Sequence, residues 1–294
     1  MESLAYNSFI AAYVLALVAS AAYVAAPLWP RVAYRSAETT AGTSMTIASK
    51  SEPPAYIGPF ATAASWLMLA MLTLSLAFRW AATKHPPYVN MYEYTIALGW
   101  GSSLFYVIFE RVYNQRSLGA VLLPGIAALF TVSLLFFTPE VTPLIPALQA
   151  NRILGIHVGM MMMSYSALSV SFGAAALYFV QDGKRRFARL PSARALEEIA
   201  HKSVLVGFPM LALGIALGAW WANSAWGRYW GWDPKETSAL VTWLIYAGYL
   251  HARGLKGWRG KRSAAILVLG YVGVLFTYFA VNLWVSGLHS YAGV

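Results

Sequence analysis

Eight long apolar segments run through this sequence, at about residues 8–29, 58–80, 92–113, 118–138, 156–180, 203–222, 236–253 and 264–285. An α-helix crosses a bilayer with roughly 17–25 mostly apolar residues, and each segment meets that length. Inside hydrocarbon the backbone must satisfy its own hydrogen bonds, which leaves helices or closed barrels. The runs are continuous rather than alternating, which argues against barrel strands. The expected fold class is therefore all-α, a polytopic transmembrane bundle of about eight helices. Only 11% of residues are charged, against about 25% in soluble domains, and the mean hydropathy is +0.56. These values exclude an ordinary soluble fold.

The first apolar run is preceded by Glu2 and no basic residue. It is long enough to span, so it reads as a retained helix rather than a cleaved leader. Residues 31–57 are rich in Ser and Thr and include Pro53-Pro54, a loop composition. The expected organisation is a first helix and polar cytoplasmic loop over 1–57, then a membrane domain over 58–294 with an outer loop at 220–236.

Net charge is +10, but its distribution matters more than its sum. Of the 21 Lys and Arg, only Arg79, Lys84, Arg152, Arg228 and Lys235 fall in one set of loops; the rest fall in the opposite set. The positive-inside rule places the richer set in the cytoplasm and both termini outside. The charge is thus a topology signal: membrane lipid is the expected partner, and nucleic acid is not. The sequence has no cysteine, so this chain offers no thiolate chemistry of its own.

The outer loop carries the strongest signal. Trp220, Trp221, Trp226, Tyr229, Trp230 and Trp232 crowd into 13 residues, with Gly227 and Gly231 between them. An interfacial aromatic belt places one or two such rings per helix end; this density suggests a platform for a flat apolar ligand. Arg228 and Lys235 stand close by, suited to carboxylates of a ligand or to lipid headgroups. Asp233-Pro234-Lys235-Glu236 reads as a capping box with Pro at the first helical position, starting the seventh helix. Capping alone accounts for Asp233 and Glu236.

Five histidines complete the inventory: His85, His157, His201, His251 and His289. Neutral imidazole is the usual protein ligand of haem iron. His157 and His289 lie at the outer ends of the fifth and eighth helices, level with the tryptophans, which makes a bis-imidazole haem site reasonable; two unrelated interfacial histidines fit the spacing equally. His251 lies 15 residues beyond Glu236, about 22 Å deeper at about 1.5 Å per residue, so it cannot share that site. His85, in a Pro-rich outer turn, either lines the outer cavity or shapes the turn. His201, beside Lys202, reads as solvated. The run Met160–Met163 suits flexible packing against a bulky guest.

The stretch WGRYWGWDPKETSALVTWLIYAGYLH resembles the WWD signature of a haem-handling superfamily that includes CcsA/ResC, CcmC and CcmF. The loop HPPYVNMYE resembles an outer-loop motif of the CcsA/ResC branch, and the similarity covers about residues 60–294. The resemblance implies that Trp226, Tyr229, Trp230, Trp232 and Asp233 form the WWD motif, and that His157 and His289 are axial ligands of haem. It implies that His251 contributes to a deeper haem position, completed by a CcsB/ResB-type membrane subunit. It further implies a System II cytochrome c synthase in a plasma or thylakoid-type membrane. Such a complex carries haem b to the extracytoplasmic face and attaches it to the C-x-x-C-H of apocytochrome c. Separate thiol reductants would serve the acceptor. The alternative within the superfamily is a CcmC-like protein that passes haem to a chaperone without forming the thioether.

Overall fold

A computed structural model describes residues 1–29, 32–38, 44–50, 52–141, 148–149, 152–181, 187 and 190–289. The basic residues Arg31, Lys184, Arg185, Arg186 and Arg189, used above for orientation, lie outside the described residues.

All eight apolar segments lie in helices: α1 (Glu2–Leu28), α2 (Ile57–Thr83), α3 (Met91–Tyr113), α4 (Gly119–Phe136), α5 (Arg152–Val180), α6 (Ala193–Trp226), α7 (Pro234–Leu255) and α8 (Lys261–Leu275). A π-helical turn, Phe276–Ala280, links α8 to the short α9 (Val281–Leu283). Among the described residues six helices are long and apolar enough to cross a membrane, and α3 and α7 are not among them. Both carry more polar residues for their length than the other six. α3 buries Glu93, Thr95, Ser102, Ser103 and Glu110 against neighbouring helices. Large apolar side chains such as Phe60 (53% exposed), Leu213 (55%) and Leu269 (56%) face outward. Contiguous outward apolar surface with polar groups inside is the pattern of a bundle in lipid. The chain is a multi-pass helical membrane protein.

Two local expectations are corrected. Within 31–57, expected as a loop, Val32–Glu38 (β1) and Ser44–Lys50 (β2) form an antiparallel hairpin, with Val32 opposite Lys50 and Glu38 opposite Ser44. At 7 residues, a strand is shorter than the roughly 9–11 needed to cross a bilayer, so the hairpin belongs between the spans. The sixth helix is also longer than its apolar run. It starts at Ala193, where the Ser192 side chain accepts from the Ala195 N–H at 3.3 Å, and continues to Trp226. Its 34 residues extend about 50 Å, well past a hydrocarbon core of about 30 Å. Trp220, Trp221 and Trp226 are therefore helical, and the loop begins at Gly227, a left-handed cap with φ +73°.

Two buried carboxylates fix α3. Glu93 takes Arg79 Nε of α2 at 2.7 Å and the Val89 backbone N–H at 2.8 Å, while its own N–H bonds to Asn90 at 2.9 Å. The Arg79 guanidinium also donates to the Pro139 and Glu140 carbonyls. At the other end Glu110 accepts from Tyr23 at 2.8 Å, and from Thr62 and Tyr106. Each charge is held by directed donors, the condition under which a buried carboxylate is tolerated.

Helices α5 and α6 approach closely, and their closeness is written in Gly207, Gly214 and Gly218. A Cβ at Gly207 would meet Leu168 at 2.8 Å, one at Gly214 would meet Met161 at 2.6 Å, and one at Gly218 would meet the His157 ring at 2.6 Å. Small residues on one face let backbones approach without a clash. This approach sets the position of His157.

Candidate functional site

His157 lies in the second turn of α5. Its Nδ1 is 2.7 Å from the Gly214 carbonyl of α6. A carbonyl only accepts, so Nδ1 carries the proton and Nε2 carries the ring's lone pair. The glycine at 218 leaves the room the ring occupies. Gly218→Ala should displace the imidazole while leaving the helices in place. The expected result is a tenfold or greater loss of affinity for any ligand held through His157, the scale of losing a group that orients a metal ligand. Titration of the purified variant against the parent checks it; unchanged affinity would show that ring position does not matter.

His289 lies beyond α9 and reaches the same place by another route. Its Nδ1 is 2.7 Å from Asp233 Oδ2. Asp233 is the N-cap of α7 and part of the expected capping box. Its carboxylate also accepts from Lys235 N at 3.0 Å and Leu288 N at 2.6 Å, while Glu236 accepts from Asp233 N at 3.1 Å and Gly231 N at 2.8 Å. Asp233 thus does two jobs: it starts a helix and orients an imidazole. Burial opposes its ionisation, but the bond and charge of His289, with the Lys235 and Leu288 N–H groups, hold it down to about 2. Burial lowers the His289 pKa, and the Lys235 charge adds to this against the pull of Asp233. Burial decides, and the pair at neutral pH is a carboxylate accepting from a neutral ring.

Both histidines line one cavity of about 80 Å³, together with Tyr94 of α3, Met161, Met162, Trp230, Lys235 and Glu236. Trp221 packs against both rings. Its centroid is 6.4 Å from His157, nearly parallel at 10°, and 5.8 Å from His289. Trp226 meets Trp221 edge-on at 4.8 Å and His289 edge-on at 5.0 Å. Trp221 is 1% exposed, and its Nε1 has no hydrogen-bond partner among the described residues.

The other aromatic residues divide. Trp230 lines the cavity and meets Trp232 edge-on at 5.7 Å. Trp232 is 69% and Tyr229 61% exposed, both turned outward. Trp232 also holds a left-handed backbone at φ +56°, an unfavourable place for a bulky residue. Arg228 is exposed, lies over Gly231 and does not line the cavity. His85 lies outside the cavity, its Nδ1 3.0 Å from the Pro86 carbonyl within its own turn. His251 is exposed on α7. His201, expected in solvent, is half-buried, its Nδ1 3.5 Å from the Tyr249 hydroxyl.

Sequence reasoning singled out the tryptophans of the loop but not Trp221 as a support for both imidazoles, nor Gly218 and Tyr94. The spacing of Gly207, Gly214 and Gly218 on one helix face was the signal available for Gly218. Nothing local marks Tyr94.

Fold and site together define a class: a multi-pass helical bundle in which two imidazoles line one cavity beside the buried Trp221. Residues 88–289 match the family described as Cytochrome C assembly protein. Among its relatives are proteins named cytochrome c biogenesis protein CcsA. That of Mesostigma viride is 37% identical, covering 75% of this chain and 82% of the relative. That of Guillardia theta is 39% identical (75% and 81%), and that of Prochlorococcus marinus (strain MIT 9312) 35% identical (78% and 83%). The chain belongs to the cytochrome c assembly protein family and is of the CcsA type. Its fold is also that of a solved structure named Cytochrome c Heme Lyase CcmF, with a TM-score of 0.69 over 95% of this chain at 18% identity. The chain spans 46% of that protein's length.

Proposed function

We propose that this chain is the haem-handling membrane subunit of a cytochrome c synthase, presenting haem b at the extracytoplasmic face for covalent attachment to apocytochrome c. The observation that carries this reading is the pairing of His157 and His289 in one cavity, each with Nδ1 committed to an oxygen. With Nδ1 so engaged, Nε2 is the nitrogen each ring would offer to iron, oriented by the bond on its far side. Haem is the substrate in this reading, not a resident cofactor. Its iron takes the two imidazoles, and its macrocycle takes the faces of the surrounding aromatics.

The cavity is smaller than the roughly 300–1,000 Å³ of clefts that enclose drug-sized ligands, so loading requires a wall to part. The loop from Gly227 to Trp232 is the wall suited to do so. It follows a helix end, carries Trp230 on the cavity side, and holds its strained residue at Trp232.

Attachment is an addition: a thiol of the acceptor's C-x-x-C-H adds across a haem vinyl C=C, sulfur to one carbon and hydrogen to the other. The acceptor must therefore arrive reduced, which assigns the thiol reductants to other proteins, since this chain has no cysteine. His251, exposed on α7, finds its companion ligand on a CcsB/ResB-type subunit in the same plasma or thylakoid-type membrane.

Co-expression tests the reading. With a CcsB-type partner and apocytochrome c, this chain should give a c-type product that keeps its haem through denaturing electrophoresis, and omission of the chain should abolish it. Haem delivered only to a chaperone, with no covalent product, would favour the CcmC-like alternative instead.

A further inference from the structure

The cavity holds a cation that the two-imidazole arrangement does not use. Lys235 stands in the first turn of α7 and lines the cavity with both histidines. Its Nζ donates to Asn282 Oδ1 at 2.7 Å and lies 5.7 Å from the centroid of the Tyr94 ring. Asn282 is itself fixed, its Nδ2 donating to the Tyr278 carbonyl at 2.6 Å on the π-helical turn. An amide oxygen and an aromatic face orient an ammonium without neutralising it.

The neighbouring carboxylates are spent elsewhere. Asp233 accepts from Lys235 N, Leu288 N and His289, and Glu236 Oε2 accepts from Gly231 N and Asp233 N. Among the described residues no carboxylate forms an ion pair with Lys235 Nζ. A positive charge held at a cavity wall without a counter-ion is a costly arrangement that an anionic guest relieves.

We propose that Lys235, positioned by Asn282 and Tyr94, is the carboxylate anchor of the site and grips one propionate of the porphyrin. This rests on the haem reading above and deepens it. Of the two cations near the aromatic loop, Arg228 is exposed and outside the cavity, so Lys235 takes this role. A propionate fixed at Lys235 sets the rotation of the macrocycle about the iron axis. The vinyl edge, opposite the propionates, is then turned away from Lys235.

The test uses the purified full-length chain in detergent, titrated with iron protoporphyrin IX and with its dimethyl ester, which keeps the ring and iron but has no free carboxylate. The parent should prefer the diacid by about tenfold or more, the scale of one charge-assisted contact. Lys235→Met should reduce that preference to near unity while keeping the bis-imidazole spectrum, and Lys235→Arg should restore most of it. Asn282→Asp supplies the missing counter-ion and should also erase the preference, with the lysine still present. An undiminished preference in Lys235→Met overturns the anchor, as does equal binding of both porphyrins by the parent; the haem site stands in either case. A parent that binds neither porphyrin with a bis-imidazole spectrum overturns the haem reading itself, and the anchor with it.

Discussion

Protein purified with His157→Ala and His289→Ala together will carry no bis-imidazole Soret band and will bind added haem at least about a hundredfold more weakly than the parent. The scale follows from ligand chemistry: losing a group that only orients a metal ligand already costs about 10–100-fold, and this variant removes both proposed iron ligands. The single variants should differ from the double. Each leaves one ring held by its own support, Gly214 for His157 and Asp233 for His289. Each should therefore give a five-coordinate, high-spin spectrum that imidazole in solution converts back toward the six-coordinate form. Both rings are half-buried at a cavity wall, so the variants should remain monodisperse. Retention of a parent-like spectrum by the double variant would remove the proposed outer site.

Arg79→Ala should be the most destabilising single change outside that site. It strands Glu93, whose side chain is 2% exposed, with only the Val89 N–H as a donor to its carboxylate. Breaking a buried ion pair from one side costs about 3–5 kcal/mol. It also frees the Pro139 and Glu140 carbonyls that Arg79 ties to α2. The segment between α2 and α3, which contains His85 and Asn90, should loosen first, because Glu93 holds it through Val89 and Asn90. Thermal unfolding of detergent-purified protein, followed with limited proteolysis of the 84–90 segment, checks both effects. Removing both charges with Arg79→Met and Glu93→Gln should recover part of the loss, since the stranded charge is the larger cost. An Arg79→Ala protein as heat-stable as the parent would show that the pair does not hold this end of the bundle.

Much of this was legible in the residues. The helices followed from hydrophobic run length alone, because lipid leaves a backbone few alternatives. The capping box at Asp233 followed from local chemistry, and the shared depth of His157, His289 and the tryptophans from counting along helices. Other features were hidden for physical reasons. The hairpin at Val32–Lys50 lies in a Ser/Thr-rich stretch whose composition suits a loop as well as strands. The continuation of α6 to Trp226 could not be read from hydropathy, since a helix outlasts its apolar face wherever its end is packed and capped.

Sequence by itself determined that the chain must be a helical membrane bundle, because the cost of unpaired backbone in hydrocarbon acts on each segment separately and needs no knowledge of its neighbours. Only the tertiary structure decided that Asp233 serves His289 as well as its own helix, that Gly218 makes room for His157, and that Lys235 turns inward while Arg228 turns out. Those outcomes depend on distances between residues far apart in the chain, which close helix packing sets and which no local pattern encodes.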